Sequence, residues 1–259
     1  MNDVYLLAVG TGPDVLLLHG IGGSADTFTP QIDELKNDLR LLAWDAPGYG
    51  RSADPTTPLG LDDYADAAAE VIRERCENGA HVLGMSWGGV IAVRLAHRHP
   101  NLVSSLMLGD STVGSAPEPD KAAAMRARAG ELGELGADEF ARRRSDRLMS
   151  GSASAELRER ARAIMAASVR LPGYGYAAET MAATDHTDLL PTIDIPTLVL
   201  CGDEDRVTGQ PASQVLAGGI PGAVFVTVHG AGHLANQERP DAFNAWVVSF
   251  VHITERLHG

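Results

Sequence analysis

Long apolar runs are missing from this chain. No segment approaches the roughly 20 consecutive apolar residues of a membrane span, so no membrane partner is expected. The opening Met1-Asn2-Asp3-Val4 has no basic stretch leading into an apolar one, which argues against a secretory signal. Cysteine is scarce. Cys76 and Cys201 make no disulfide framework, and Cys201 closes an apolar run as a small core residue would. Together these absences predict a cytoplasmic protein. Positive charge is outweighed, 21 Lys and Arg against 34 Asp and Glu for a net charge of −13. That balance disfavours nucleic acid and anionic membrane as partners, although a local basic patch would override the average. The histidines are scattered and no Cys-x-x-Cys spacing occurs, so neither a metal nor an organic cofactor is expected. What the chain does have is 259 residues with 44% hydrophobic content, enough for one large α/β domain carrying an insertion.

The most informative stretch is Gly84-Met85-Ser86-Trp87-Gly88, a G-x-S-x-G pattern. The apolar run Ala80 to Leu83 precedes it as a buried strand, and Val90 to His97 follow as a helix. Strand, sharp turn and helix are the context in which such a serine stands exposed at the top of a sheet. Gly84 and Gly88 leave out Cβ atoms where a strained turn has no room for them. A serine hydroxyl is a weak nucleophile and needs a base, itself oriented by an acid. His233 is the preferred base, because it falls on a loop between the strand Ala223 to Val228 and a helix from Pro240 to Val251. His229, inside the strand-to-loop transition, is the competitor. For the acid, Thr197 to Cys201 read as a buried parallel strand ending in Gly202-Asp203-Glu204-Asp205. Asp205 is preferred, where the loop has cleared the strand. Asp203 comes second, as a binder of loop donors, and Asp110 third.

Elsewhere, Val4 to Ala8 and Val15 to Leu18 read as strands around Gly10-Thr11-Gly12-Pro13. That turn is no dinucleotide fingerprint, since a proline and then a strand follow it. Leu61 to Glu77 reads as a helix with Tyr64, Ala68, Val71 and Ile72 on one side, and Leu102 to Gly109 as a further strand. From Ser111 to about His186 strand patterns vanish. That stretch reads as helices, among them Lys121 to Leu132, Ala137 to Met149 and Ala155 to Val169, and strand pattern returns at Ile195.

Five landmarks stand in order, each after a strand: His19-Gly20-Ile21-Gly22-Gly23, Asp45 to Ser52, the Ser86 turn, the loop ending at Asp205, and Gly-x-Gly-His ending at His233. In these the chain resembles the α/β-hydrolase family over nearly its whole length. Around Trp44 to Ser52 and Gly232 to Pro240 it is most similar to 3-oxoadipate enol-lactonases and related esterases. One departure concerns the acid: many relatives place a proline three or four residues after it, whereas the first proline here is Pro211. The resemblance implies a mostly parallel central sheet flanked by helices, with a helical cap inserted before the strand leading to the acid. The core would be 1–110 and 188–259, and the cap 111–187. It implies a serine hydrolase of a small ester or lactone, with Ser86, Asp205 and His233 as triad and the amides of Ile21 and Trp87 as oxyanion donors. Gly22, Met149, Tyr176 and Leu234 are the expected substrate contacts, and Trp87, Leu148, Tyr174 and Met181 are further candidates for the pocket wall. His19 is read as a buried supporting histidine. The arginines 142–144 with Arg147 are read as mainly a solvated helix face, with a carboxylate clamp as the lesser alternative and at most one or two of them reaching a pocket. A carbon–carbon bond hydrolase, or a non-catalytic binding protein on the same fold, would carry the same motifs. The partner expected is a small-molecule ester or lactone, and oligomeric state is not legible.

Overall fold

Apolar runs of four to six residues, too short for helices and bounded by turn residues, set up the sheet. The computed structural model describes residues 4–258. It contains seven strands: β1 (Leu6–Val9), β2 (Asp14–Leu18), β3 (Arg40–Trp44), β4 (Ala80–Met85), β5 (Val103–Gly109), β6 (Thr197–Gly202) and β7 (Val224–Val228). Their order across the sheet is β1-β3-β2-β4-β5-β6-β7, and only β1 is antiparallel to its neighbour. The central strands are buried on both faces, which is why they read as continuous apolar runs rather than alternating ones. Alternation is still at work inside them: Leu16 and Leu18 enter one core cluster, and Val15 and Leu17 the other.

Helices close both faces. α1 (Thr29–Leu35) covers the second cluster, while α2 (Leu61–Arg75) and α3 (Trp87–Arg98) cover the first. α2 buries Tyr64, Ala68, Val71 and Ile72 as its periodicity predicts. It stops two residues earlier than expected, because Cys76 adopts extended backbone (φ −121°, ψ 132°). After β5 the chain leaves the sheet and returns at β6. In between lie α4 (Pro119–Arg144), α5 (Ala155–Ser168) and α6 (Gly173–Ala183). α4 joins two of the expected helices across a break at Gly136 (φ 72°). α6 is buried on most sides by Tyr174, Ala177, Ala178 and Met181. α7 (Gly209–Gly219), the short α8 (Ala235–Glu238) and α9 (Pro240–His258) complete the order, with Phe243, Val247 and Val251 of α9 in the second cluster. No helix of the described residues is long and apolar enough to cross a membrane.

Register decides where a site can form. Leu18 pairs with Gly84, Met85 with Gly109, and Gly202 with Val228. The carboxyl ends of β2, β4, β5, β6 and β7 therefore open onto one edge. β2 connects to β3 on one side of it while β4 lies on the other, so the chain switches direction there and leaves a crevice, the usual ligand position in open α/β sheets.

Candidate active site

Ser86 occupies the single residue between β4 and α3, with φ 52° and ψ −115°, a conformation L-residues rarely adopt. Packing holds it there. A Cβ on Gly84 would stand 2.3 Å from the Gly88 carbonyl oxygen, and one on Gly88 would stand 2.0 Å from that of Leu18. The Ser86 N–H donates to the Gly109 carbonyl (2.8 Å), and the Ser86 carbonyl accepts from Gly89 N–H (2.9 Å) and the Ser111 hydroxyl (2.8 Å).

The loops after β6 and β7 bring two further side chains into line. His233 Nε2 lies 2.9 Å from Ser86 Oγ, and its Nδ1 lies 3.0 Å from Asp205 Oδ2. Asp205 also accepts from Val207 N–H (2.7 Å) and the Thr208 hydroxyl (2.7 Å). Burial opposes its ionisation, but His233 and these donors outweigh burial and hold the carboxyl well below the ordinary range. Burial likewise disfavours the imidazolium of His233. The Asp205 carboxylate beside it and the nearby Asp110 overcome that, and the net shift is upward.

The competing residues go elsewhere. Asp203 accepts from Gly230 N–H (2.7 Å) and pairs with the exposed His229 (3.0 Å). The four-residue spacing of His229 and His233 lies on a loop, and the two rings meet different carboxylates. Asp110 is fully buried, and its two oxygens accept from Gly202 N–H (2.9 Å) and Ala235 N–H (3.1 Å). It braces the loops that carry the other two residues. Burial pushes its pKa up to about 7, the charge of Asp205 adding to the effect and His233 opposing it.

A sequence profile of the Alpha/beta hydrolase family matches residues 15–246. The chain belongs to the α/β-hydrolase family. It is 29% identical over 254 residues to a protein of Azorhizobium caulinodans named as carbamate hydrolase RutD, covering 96% of this chain and 94% of that one. Among solved structures it is similar to an esterase from Thermogutta terrifontis (27% identity, TM-score 0.87, 97% and 93% of the two chains covered). It is also similar to the enol-lactonase from Burkholderia xenovorans LB400 (25% identity, TM-score 0.86, 97% of both chains covered).

In this α/β hydrolase, Ser86 and His233 open into a cavity of about 100 Å³ between the strand ends and the insertion. At roughly 10–15 Å³ for each water, that is room for several waters or one small acyl chain. Gly22 and Leu234 line it as expected, with Ile21, Leu148 and Tyr174. Trp87 opens α3, so its N–H has no acceptor within the helix. Its indole, however, points away from the cavity. Nε1 donates to Thr180 Oγ1 of α6 (3.0 Å), and the ring packs edge-on to Tyr64 (4.9 Å between centroids). Two expected contacts are corrected. Tyr176 does not line the cavity: Tyr174 does, and two residues along a helix is about 200° of rotation, so both cannot face the same way. Met149 is also absent from the wall. Leu148 ends a 3-10 turn over Ser145–Leu148, and Met149 leaves that turn in extended backbone (φ −116°, ψ 157°) with its side chain buried outside the cavity. Met181 is core. His19 supports the loop: Nδ1 donates to the Gly20 carbonyl (2.8 Å), leaving Nε2 to accept from Ala46 N–H (3.0 Å).

Several further residues line the wall that were not expected from the sequence: Arg128, Phe140, Ala161, Ile164 and Met165. Ile164 and Met165 lie on the apolar side of α5, and that periodicity was a usable signal. Arg128 gave none, sitting in an Ala- and Arg-rich helix that reads as exposed.

Proposed function

We propose that the protein hydrolyses a small carboxylic ester, open-chain or lactone, through an acyl-serine on Ser86. The observation that carries this reading is the unbroken hydrogen-bonded line from Ser86 through His233 to Asp205 at the base of an apolar cavity. His233 takes the hydroxyl proton as Ser86 Oγ attacks the carbonyl carbon, and Asp205 fixes the tautomer and stabilises the imidazolium. The amides of Ile21 and Trp87 receive the oxyanion, the first from the loop after β2 and the second from the start of α3. His233 then protonates the departing alcohol or enol, and water, activated by the same imidazole, releases the acid. These steps call on no metal or organic cofactor. The insertion excludes bulk water from the acyl-enzyme. The esterase and enol-lactonase likenesses support ester chemistry, and the carbamate hydrolase likeness puts a carbamate ester in the same test.

The test is a panel of 4-nitrophenyl acetate and butyrate, several lactones including an enol-lactone, and an aryl carbamate, assayed with wild type and Ser86→Ala. Serine-dependent turnover, reduced by several orders of magnitude in the variant, is the expected result. Near-normal turnover by Ser86→Ala would remove Ser86 as nucleophile. Preference within the panel separates lactone, simple ester and carbamate.

A further inference from the structure

The molecule carries a net charge of −13, yet the cavity beside Ser86 has the opposite character. Arg128, Arg144 and Arg147 line it, and no aspartate or glutamate does. Among the described residues, Glu131, which holds Arg144, is the one carboxylate in ion-pair contact with this trio. Arg144 also stacks on the Phe140 ring (4.9 Å). Its Nε is buried without a hydrogen-bond partner. Arg128 is half-buried on α4. Burial lowers its pKa and the neighbouring Arg144 and Arg147 lower it further, while the Tyr174 hydroxyl beside it acts the other way. A cation placed against apolar walls without a counter-charge costs stability, and a perturbed ionisable group in a cleft is a mark of a binding site. The charge also reaches the chemistry, because Arg128 lowers the proton affinity of His233.

We propose that this pocket is built for an ester or lactone bearing a carboxylate at the end remote from the scissile bond, received by Arg128 and Arg147 beside the Tyr174 hydroxyl. The inference rests on the ester-hydrolase reading and narrows it. The planar guanidinium fork suits a carboxylate in two-point contact, and the surrounding low polarity strengthens the pairing. Small cavity volume limits the spacer between carbonyl and carboxylate to a few carbons. Binding neutralises Arg128 and so raises the proton affinity of His233, the base that the same substrate needs.

The experiment compares 4-nitrophenyl hydrogen glutarate with the neutral 4-nitrophenyl pentanoate, matched in acyl length. Both are assayed with wild type, Arg128→Gln, Arg128→Lys, Arg147→Gln and Ser86→Ala, alongside calorimetric titration of glutarate itself. The wild type should prefer the anionic ester in kcat/KM by about tenfold or more. Arg128→Gln should shrink that ratio by a similar factor, mostly through KM, with partial recovery in Arg128→Lys. Arg147→Gln, at a more exposed position, should move the ratio the same way by less. Glutarate should bind the wild type and lose affinity in Arg128→Gln and at high salt. Serine-dependent hydrolysis of both esters with no anionic preference, and a ratio unchanged in the arginine variants, would overturn this inference and leave the ester-hydrolase reading intact. If neither ester is cleaved in a Ser86-dependent way, that reading falls, and glutarate binding still decides the anion site: binding that depends on Arg128 upholds it, and no binding overturns it.

Discussion

The two sides of the cavity are built on different principles. The strand-end side is a set of buried, doubly committed hydrogen bonds: each polar atom of Ser86, Asp205, Asp110 and His19 that matters has a fixed partner. The insertion side is apolar surface with a few arginines. Its many ion pairs, such as Arg126 with Glu179 and Arg142 and Arg143 with Glu139, lie on the outer face. Where positions must hold to a fraction of an ångström, the fold uses main-chain donors at strand ends. Where only shape and charge matter, it uses side chains on helices. On the proposed function, the first side would specify the reaction and the second the substrate.

Substitutions on the strand-end side should have the largest effects. Asp205→Asn should lower kcat/KM by on the order of 10⁴-fold, because it removes the charge that holds the His233 tautomer. Asp203→Asn, two residues earlier, should stay within a few-fold of wild type. Equal losses would show that the geometry misassigns the acid. In the wild type the rate should rise with pH as His233 loses its proton, at a pH raised from that of an ordinary histidine: burial lowers its proton affinity, but Asp205 and Asp110 more than offset burial and Arg128.

A smaller and different effect belongs to Asp110. Its asparagine variant accepts through one atom where the carboxyl uses two, so Gly202 or Ala235 N–H loses its partner at a cost of about 1–3 kcal/mol. The sign of the pH dependence follows from its raised pKa. In the folded protein Asp110 titrates near 7, against about 3.9 unfolded. The stability linked to its proton is full below the unfolded value and is lost as pH rises through about 7. Asparagine does not titrate, so the deficit of Asp110→Asn should narrow between pH 5 and pH 8 in denaturant melts. A constant difference would mean that Asp110 is ionised throughout. The smallest effect is expected on the outer face of the insertion. Arg142→Gln should leave both melting and turnover unchanged, because its pair with Glu139 is solvent-exposed. A measurable loss of either would give that face a role.

The same division governs what could be read from the chain. Ser86, His233 and Asp205 were legible because each stands a few residues past an apolar run, and a parallel sheet delivers all such positions to one edge. Gly84 and Gly88 reported a turn that only small residues permit. On the insertion the signals fade. Choosing Tyr174 over Tyr176, or Leu148 over Met149, needs the phase of an element whose start the sequence does not mark. α6 falls within the stretch read as helical but was not delimited there, because Gly173 and Gly175 weaken helix propensity and its buried sides leave no amphipathic stripe. Arg128 looks like any exposed arginine until α4 is packed over the strand ends.

The backbone of Ser86 has a consequence for how this protein can change over generations. Its positive φ holds roughly 1–3 kcal/mol of conformational strain, of the kind that persists only where the surroundings enforce it. Glycine would sit there more comfortably than any residue with a nucleophilic side chain. Selection for thermal robustness alone would therefore drift toward a sturdier, inert protein at this position. The serine of this chain keeps its hydroxyl at the wall of the cavity at the expense of that robustness.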